Sequence, residues 1–344
     1  MIDPSLLEAL RAIPATAGLR PDDVVAMTAK GVNHDHYRLR GVALVLRAPR
    51  ATPWLGDAAA QLEVEAAAFR RAEPAKMTPR LGAILQPSAA LPRGALLVEE
   101  IIGRPPRLPA DLPAIADALA RLHALELPAP AERPPLPDHS VTGPVAATFA
   151  VITRQHSFLD PSNLARETHA ALAAEYAWAE GYAAEASPTE QPAALVGTDT
   201  HPGNFIMRAD GTAVLVDLER VCYGSPAIDL AHATLLTSTR WDIDVRGEPS
   251  RAEVITFYRR YLQTIGAPRA AALRPWLLPA RRLTWLRTMM WAVRLRVLFR
   301  NRELLVEPRL AEHISQWLDA FLSPETVARC RAEWLSEPPL EFTR

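Results

Sequence analysis

The sequence predicts an α+β fold: a small antiparallel sheet carrying one helix, then a larger and mainly helical part. Three observations carry this. The first hundred or so of the 344 residues hold short β-type runs around one Ala-rich stretch. After Gly103 a helical period takes over. That helical part is interrupted at 195–217 by two short strands beside a polar loop.

The elements follow in order. "VVAMTA" (24–29), "HYRLR" (36–40) and "VALVLRA" (42–48) read as strands, punctuated by Gly31 and Gly41. "LEVEAAAFRRA" (62–72) has good helix propensity. "RLGAIL" (80–85) and "ALLVEEII" (95–102) are two more strands, separated by "QPSAALPRG". Three strands, a helix and two strands suit a small antiparallel sheet with a helix on it. "GRPPRLPADLP" reads as a connector, so the expected units are 1–103 and 104–344. In "LPAIADALARLHAL" (112–125), Ile115, Leu119 and Leu122 keep a 3.6-type period. "ELPAPAERPPLPDHS" reads as a surface loop, and 163–185, 250–264 and 276–300 read as helices.

Composition narrows the class. Hydrophobic residues at 49% and charged residues at 22% are ordinary globular chemistry. A net charge of -1 gives no sign of a nucleic-acid or anionic-membrane partner. Cys222 and Cys330 are too few and too far apart for a disulfide framework or metal cluster, and are expected to be buried thiols. No apolar run approaches the ~20 residues of a membrane span. The start, "MIDPSLLEALRAIP", lacks a basic stretch followed by an apolar one. A cytoplasmic protein with no membrane partner is expected; oligomeric state is not indicated.

The informative stretch is "GTDTHPGNFIMRADGTAVLVDLE". Asp210-Gly211 between "FIMR" and "AVLVD" is a strong hairpin signal. Such a hairpin returns Asp217 towards Asn204 and Asp199. Hard oxygen ligands of this kind suit Mg²⁺, which keeps waters and phosphate oxygens in its shell. An Asp ahead of the cluster can accept the proton of an attacking hydroxyl. Asp and Asn five apart, followed by a strand-borne Asp, is the phosphoryl-transfer arrangement of protein kinases. A turn-forming Asx loop beside an ordinary hairpin is the plainer alternative.

These residues carry a resemblance. The chain resembles the aminoglycoside phosphotransferase and choline kinase-like family, whose members have "HGDLHPGN", then "IDWE" or "IDFE", then "DPAYDLA". Here those segments read "GTDTHPGN", "VDLE" and "SPAIDLA". The resemblance runs from about residue 24 to 236 and implies a bilobal protein-kinase-like fold. It implies an ATP-dependent, Mg²⁺-dependent small-molecule kinase acting on a hydroxyl acceptor. Asp199 would be the catalytic base, Asn204 and Asp217 the Mg²⁺ ligands, and Asp229 a structural Asp bracing the loop. "KGVNHDHYRL" takes the place of the hairpin over the ATP phosphates, with Asn33 and His34 in its polar positions. Arg47 of "LVLRAP" would hold phosphate, and Glu65 would pair with it, with Glu63 as the alternative. "LLVEEIIG" resembles the hinge: Val98 would line the adenine pocket, and the backbone of Glu99, Glu100 and Ile101 would bond the base.

The chain also departs from the pattern. Gly197 replaces the family's His, Thr198 its Gly or Arg, and His34 its Asn. These changes loosen loop support and sustain an alternative, a non-catalytic nucleotide-binding module. His34 and His36 share a strand face as a metal pair would, but no third ligand is evident. For the acceptor, 269–302 contains nine Arg and no Asp or Glu, with Arg287 and Arg294 on one helical stripe. That is a poor wall for a polycation. Salt-bridged or solvated helix faces are the plainer reading, and an anionic acceptor the sharper one. Glu219, Asp242 and Asp244 are the carboxylates that would favour an amine acceptor if they faced the cleft.

Overall fold

A computed structural model of the chain describes residues 3–28, 33–50, 57–245, 247–303, 308–336 and 338–342. Gly31, Ala29 and most of the expected phosphate-covering turn lie outside these residues.

The N-terminal part holds α1 (Pro4–Arg11), β1 (Val24–Ala26), β2 (His34–Leu39), β3 (Leu44–Pro49), α2 (Ala58–Ala72), β4 (Leu81–Leu85) and β5 (Ala95–Glu99). The five strands lie in the order β1-β2-β3-β5-β4, antiparallel at every junction. Gly41, at φ 81°, takes the left-handed position in the β2–β3 turn. β5 is apolar on both faces because a helix covers each. Leu96 and Val98 join Leu62 and Phe69 of α2. Ala95 and Leu97 turn the other way, onto Leu6, Leu7 and Leu10 of α1. A strand covered twice reads as a continuous run rather than an alternation.

α1 is a second helix on the sheet, beyond the one expected. Its signals are present but short. Asp3 accepts from the Ser5 amide at 2.9 Å as N-cap, and Pro4 opens the first turn.

The rest comprises α3 (Leu112–His123), α4 (Pro144–Thr153), α5 (Arg166–Glu185), β6 (Ala194–Val196), β7 (Phe205–Met207), β8 (Ala213–Leu215), β9 (Cys222–Gly224), α6 (Pro226–Thr234), α7 (Leu236–Thr239), α8 (Arg251–Ile265), α9 (Ala267–Leu273), α10 (Leu277–Arg300), α11 (Pro308–Phe321) and α12 (Pro324–Leu335). β7 pairs with β8 through the expected Asp210-Gly211 turn. β6 pairs with β9. The loop 197–204 therefore leaves a strand neighbouring the one that the loop 216–221 enters, and the two loops run side by side. The connector docks here too. Arg104 and Met207 exchange backbone hydrogen bonds of 3.0 and 2.8 Å. A Cβ at Gly103 would lie 2.3 Å from the Met207 carbonyl oxygen, so this approach requires glycine.

Cys222 and Cys330 are buried and free. Among the described residues no helix is long and apolar enough to cross a membrane.

Several arginines of α10 find their acids on other helices. Arg281 pairs with Glu333 and Arg296 with Asp319. Glu175 of α5 is fully buried. It accepts from Arg282 at 2.5 Å, Arg331 at 2.8 Å and Trp334 at 3.3 Å. Arg282 also lies 3.7 Å from the Trp178 ring centroid. One carboxylate thus ties α5, α10 and α12 together. Removing one partner of a buried charge cluster strands the others, at a cost of about 3–5 kcal/mol. Glu175→Ala is expected to lose about that much in urea unfolding; an unchanged midpoint would show that the cluster is not needed.

Candidate active site

The loop 197–204 is held from beneath by Asp229, in the first turn of α6. Its carboxylate is fully buried. It accepts from the Gly197 and Thr198 amides, each at 2.7 Å. His123 Nε2 lies 3.0 Å away, and His123 Nδ1 is 2.8 Å from the Tyr261 hydroxyl. Asp229 therefore braces the loop as the motif implies. His123 sits in the helix that the notation "ARLHAL" marks, but its role is legible only in three dimensions.

Thr198 is left-handed at φ 56°, which for a β-branched residue is a backbone outlier. Three contacts hold it there. Besides the amide bond to Asp229, its Oγ1 donates to the Arg220 carbonyl at 2.9 Å. Its own carbonyl accepts from Arg287 at 2.7 Å. At Gly197 a Cβ would lie 2.7 Å from Thr200 Cγ2 and 3.2 Å from Leu215. Thr200 Oγ1 donates to the Asp229 carbonyl at 2.9 Å. The loop thus carries substitute supports where the motif's His is missing.

Asp199, Asn204 and Asp217 are brought together. Asn204 Nδ2 donates to the Asp199 carbonyl at 2.7 Å. The Val216 amide donates to the Asn204 carbonyl at 2.9 Å, which sets Asp217 beside Asn204. Asn204 Oδ1 is left as an acceptor. Asp217 Oδ1 accepts from Arg47 at 2.9 Å and from the Glu219 amide at 3.2 Å, and its second oxygen remains. Burial opposes ionisation of Asp217, but Arg47 and then His34 hold its carboxyl well below the usual carboxylate range. Among the described residues no group of three acidic, His or Cys side chains gathers as a metal cage. Mg²⁺ does not need one, since it is typically bound by one or two carboxylates plus phosphate oxygens and water. An ionised Asp217 oxygen and the Asn204 carbonyl oxygen fit that donor set.

The expected Arg47–Glu65 pair is not formed. Arg47, buried on β3, reaches Asp217 instead. Glu65 is also buried, and its two oxygens lie 3.2 Å from His34 Nε2 and 3.1 Å from Gln61 Nε2. The reason is His34, which stands between two carboxylates, with Nδ1 3.2 Å from Glu219. Burial and Arg47 oppose a charge on His34, but Glu219 and Glu65 raise its pKa. Asn33 Nδ2 also donates to Glu219, at 2.9 Å. Glu63 pairs with Arg70 on the surface. His36 is not a partner in a metal pair with His34, whose ring nitrogens are both engaged. Burial and then Arg47 push the His36 pKa down to about 3.

At the candidate hinge, Val98 is buried on the sheet face that also carries Arg47. The Glu99 and Glu100 amides donate to the Arg80 and Ala43 carbonyls, each at 2.9 Å. Their side chains face Arg80 and Arg38.

Arg220 and a buried imidazole stand near the Asp199 carboxylate; burial and then Arg287 push the His232 pKa well down, so that ring is a neutral donor. Arg220 Nε lies 3.6 Å and His232 Nδ1 3.7 Å from the Asp199 oxygens. The His201 and His232 rings are 6.0 Å apart. Arg294, the other member of the expected stripe, is exposed and lies over Phe158. The candidate acids are engaged elsewhere. Glu219 faces His34, Asn33 and Arg220, whose Nε lies 3.4 Å from its Oε1. Asp242 Oδ1 accepts from the Asp244 and Val245 amides at 2.8 and 3.0 Å. Asp244 lies 3.8 Å from Arg309.

Asp229→Asn places an amide donor against backbone N–H donors in a buried site, at a cost of about 1–3 kcal/mol. The expected result is lower stability together with faster hydrogen exchange of the Gly197 and Thr198 amides. Unchanged protection of both would mean that the carboxylate does not hold the loop.

Comparison with known proteins agrees on the architecture. A search of curated protein sequences finds no significant match. Among solved structures, a choline/ethanolamine kinase family protein from Mesorhizobium loti matches with a TM-score of 0.60 at 19% identity, covering 96% of this chain and 99% of that one. A choline kinase from Cryptosporidium parvum matches with a TM-score of 0.62 at 13% identity, covering 93% and 94%. A macrolide 2'-phosphotransferase from Brachybacterium faecium matches with a TM-score of 0.57 at 16% identity, covering 92% and 98%. At these identities the likeness establishes the bilobal, protein-kinase-like fold. The family model described as "Phosphotransferase enzyme family" matches residues 28–276, which is most of the chain, and the protein belongs to that family.

Proposed function

We propose that the protein transfers the γ-phosphate of ATP to a hydroxyl of a small molecule. The observation that carries this is that the backbone bonds the Asp199–Asn204 loop beside the segment bearing Asp217, while Arg47 of the sheet reaches the Asp217 carboxylate. Membership of a phosphotransferase family supports it. So does likeness to structures described as choline kinase and as ADP-bound aminoglycoside phosphotransferase.

In this reading Asp199 orients the acceptor hydroxyl and takes its proton as the new O–P bond forms. The bond from the γ-phosphorus to the bridging oxygen breaks, and ADP leaves. Such transfer depends on positioning and charge neutralisation more than on covalent chemistry. Asn204 Oδ1 and Asp217 would hold Mg²⁺, which when bound neutralises charge on the phosphate oxygens. Arg47 supplies a fixed cation beside Asp217; a guanidinium stays charged even when buried. Asn33 and His34 brace Glu219 and so the segment that carries Asp217. Glu65 acts through His34. Val98 lines the adenine side of the cleft. Of the three hinge amides, those of Glu99 and Glu100 already serve the sheet, so Ile101 is the candidate donor to the base.

Asp199→Ala and Asp217→Ala are each expected to lower ATP-dependent turnover by at least about 100-fold, given the usual weight of a positioned base or metal ligand. Circular dichroism and the unfolding midpoint should stay close to wild type. A coupled ADP-release assay over amino alcohols, sugars, hydroxy acids and aminoglycosides measures this. Full turnover by Asp199→Ala would sink the reading. Nucleotide binding without acceptor-dependent ADP release would favour the non-catalytic module.

A further inference from the structure

Four groups gather near Asp199: two lie close to its carboxylate, one bonds the carbonyl before it, and the fourth sets its ring beside that of His232. Arg220 comes from the segment after Asp217, His201 from the loop itself, His232 from the end of α6, and Arg287 from the middle of α10. Arg220 Nε and His232 Nδ1 lie 3.6 and 3.7 Å from the Asp199 carboxylate. Arg287 donates to the carbonyl of the residue before it, at 2.7 Å. The remaining donors of the Arg287 fork meet no protein acceptor among the described residues.

The two buried histidines are a second observation, and the Nδ1 of His201 is the one with no facing group. His201 and His232 are only 7% and 8% exposed, and in both the Nδ1 atom has no hydrogen-bond partner. Buried polar atoms are nearly always paired, so two orphans on adjacent rings require a reason. A neutral imidazole can present Nδ1–H as a donor, and both Arg side chains are donors only. The lining is therefore matched to an acceptor of hydrogen bonds that carries negative charge. The carboxylates that would recognise a cation are meanwhile engaged with His34, Asn33, backbone amides and Arg309.

We propose that the hydroxyl acceptor of this enzyme carries an anionic group, a carboxylate or a phosphate, which docks on Arg220, Arg287, His201 and His232 beside Asp199. This rests on the phosphotransferase reading above and sets its substrate class: a hydroxy acid or a phosphorylated alcohol. Amino alcohols and polycationic sugars are the class it rejects. The transfer is unchanged in kind. The acceptor oxygen bonds to the γ-phosphorus, its proton passes to Asp199, and ADP departs.

The test is a three-carbon series offering similar hydroxyls with different charge: serinol, glycerol, glycerate and glycerol 3-phosphate. Turnover is followed by ADP release with Mg·ATP. Glycerate or glycerol 3-phosphate is expected to exceed glycerol in kcat/KM by at least about tenfold, as suits a charge-assisted contact, and serinol to be poorest. The better anion tells carboxylate from phosphate. Arg287→Gln should remove most of that preference while the KM for ATP stays within about twofold, and Arg287→Lys should restore part of it. A purely structural Arg287 would lower turnover for all four compounds alike. Calorimetric titration of the wild-type protein with Mg·ADP and each anion supplies a second readout. Preference for serinol, or an anion preference unchanged in Arg287→Gln, would overturn the proposal while leaving the kinase reading intact. Anion binding that depends on Arg287, without turnover of any acceptor, would support the anion site and defeat the kinase reading. Absence of both binding and turnover of the anions would overturn this inference.

Discussion

The buried carboxylate of Asp229 is the constraint on which the site depends. An ionised carboxylate without partners is very costly in a protein interior, so its hydrogen bonds dictate what surrounds it. Two go to consecutive amides, Gly197 and Thr198, and a third partner is His123. The chain between these two amides is Gly197, and immediately after them Thr198 turns it at φ 56°. His123 extends the linkage to Tyr261, so α3, α6 and α8 all bear on the loop. The position of Asp199 follows from this bracing. The carboxylate also lies in the first turn of α6, where the helix dipole favours negative charge.

Around Asp199 the charges divide into two fields. On one side the sheet meets the helical part through polar pairs: Arg47 with Asp217, and His34 and Asn33 with Glu219. These contacts make the candidate metal residues part of the joint between the two halves, so a shift of the sheet is felt at Asp217. On the other side Arg220, Arg287 and two buried imidazoles gather. Arg220 belongs to both, since its Nε lies 3.6 Å from Asp199 and 3.4 Å from Glu219. Fixed donors and charges of this kind are what electrostatic preorganisation uses.

Much of this was legible in the sequence, for a physical reason. Asp199, Asn204 and Asp217 lie within one short stretch, and a strong turn signal folds that stretch on itself, so spacing alone places them together. Asp229 is only a few residues further on, at the start of the next helix. The β-runs, α2, α3 and α10 were likewise readable from propensity and period. The failures are contacts that depend on how distant elements dock. The resemblance pairs Glu65 with Arg47, but the side chain that intervenes, His34, comes from a different strand. Arg287 and Arg294 share a helical stripe, yet only Arg287 reaches the loop, because α10 packs against α6 over part of its length. Asp242 and Asp244 are candidate acids by their place in the loop after "TSTRW", and local backbone amides and Arg309 claim them. α1 went unread because eight residues carry too little period to stand out from a terminal segment.

The departures at 197 and 198 bear on whether the loop is still built for chemistry. A β-branched residue in the left-handed region costs roughly 1–2 kcal/mol, and a hydrogen bond returns about 1 kcal/mol net. Thr198 has three, through its amide, its hydroxyl and its carbonyl. The strain is therefore offset locally, and the hydroxyl bond is one that the glycine of the family motif could not make. At 197 there is no vacant slot awaiting the motif's histidine. The methyl of Thr200 occupies the approach, and its hydroxyl bonds the Asp229 carbonyl. Supports have been exchanged while Asp199, Asn204 and Asp217 are retained. Two of the three also serve the fold, Asp217 as the partner of buried Arg47 and Asp199 as a neighbour of Arg220. Asn204 is different: its side-chain amide bonds the Asp199 carbonyl and leaves Oδ1 open, so an Asn204→Ala chain would lose a loop contact and a potential ligand together.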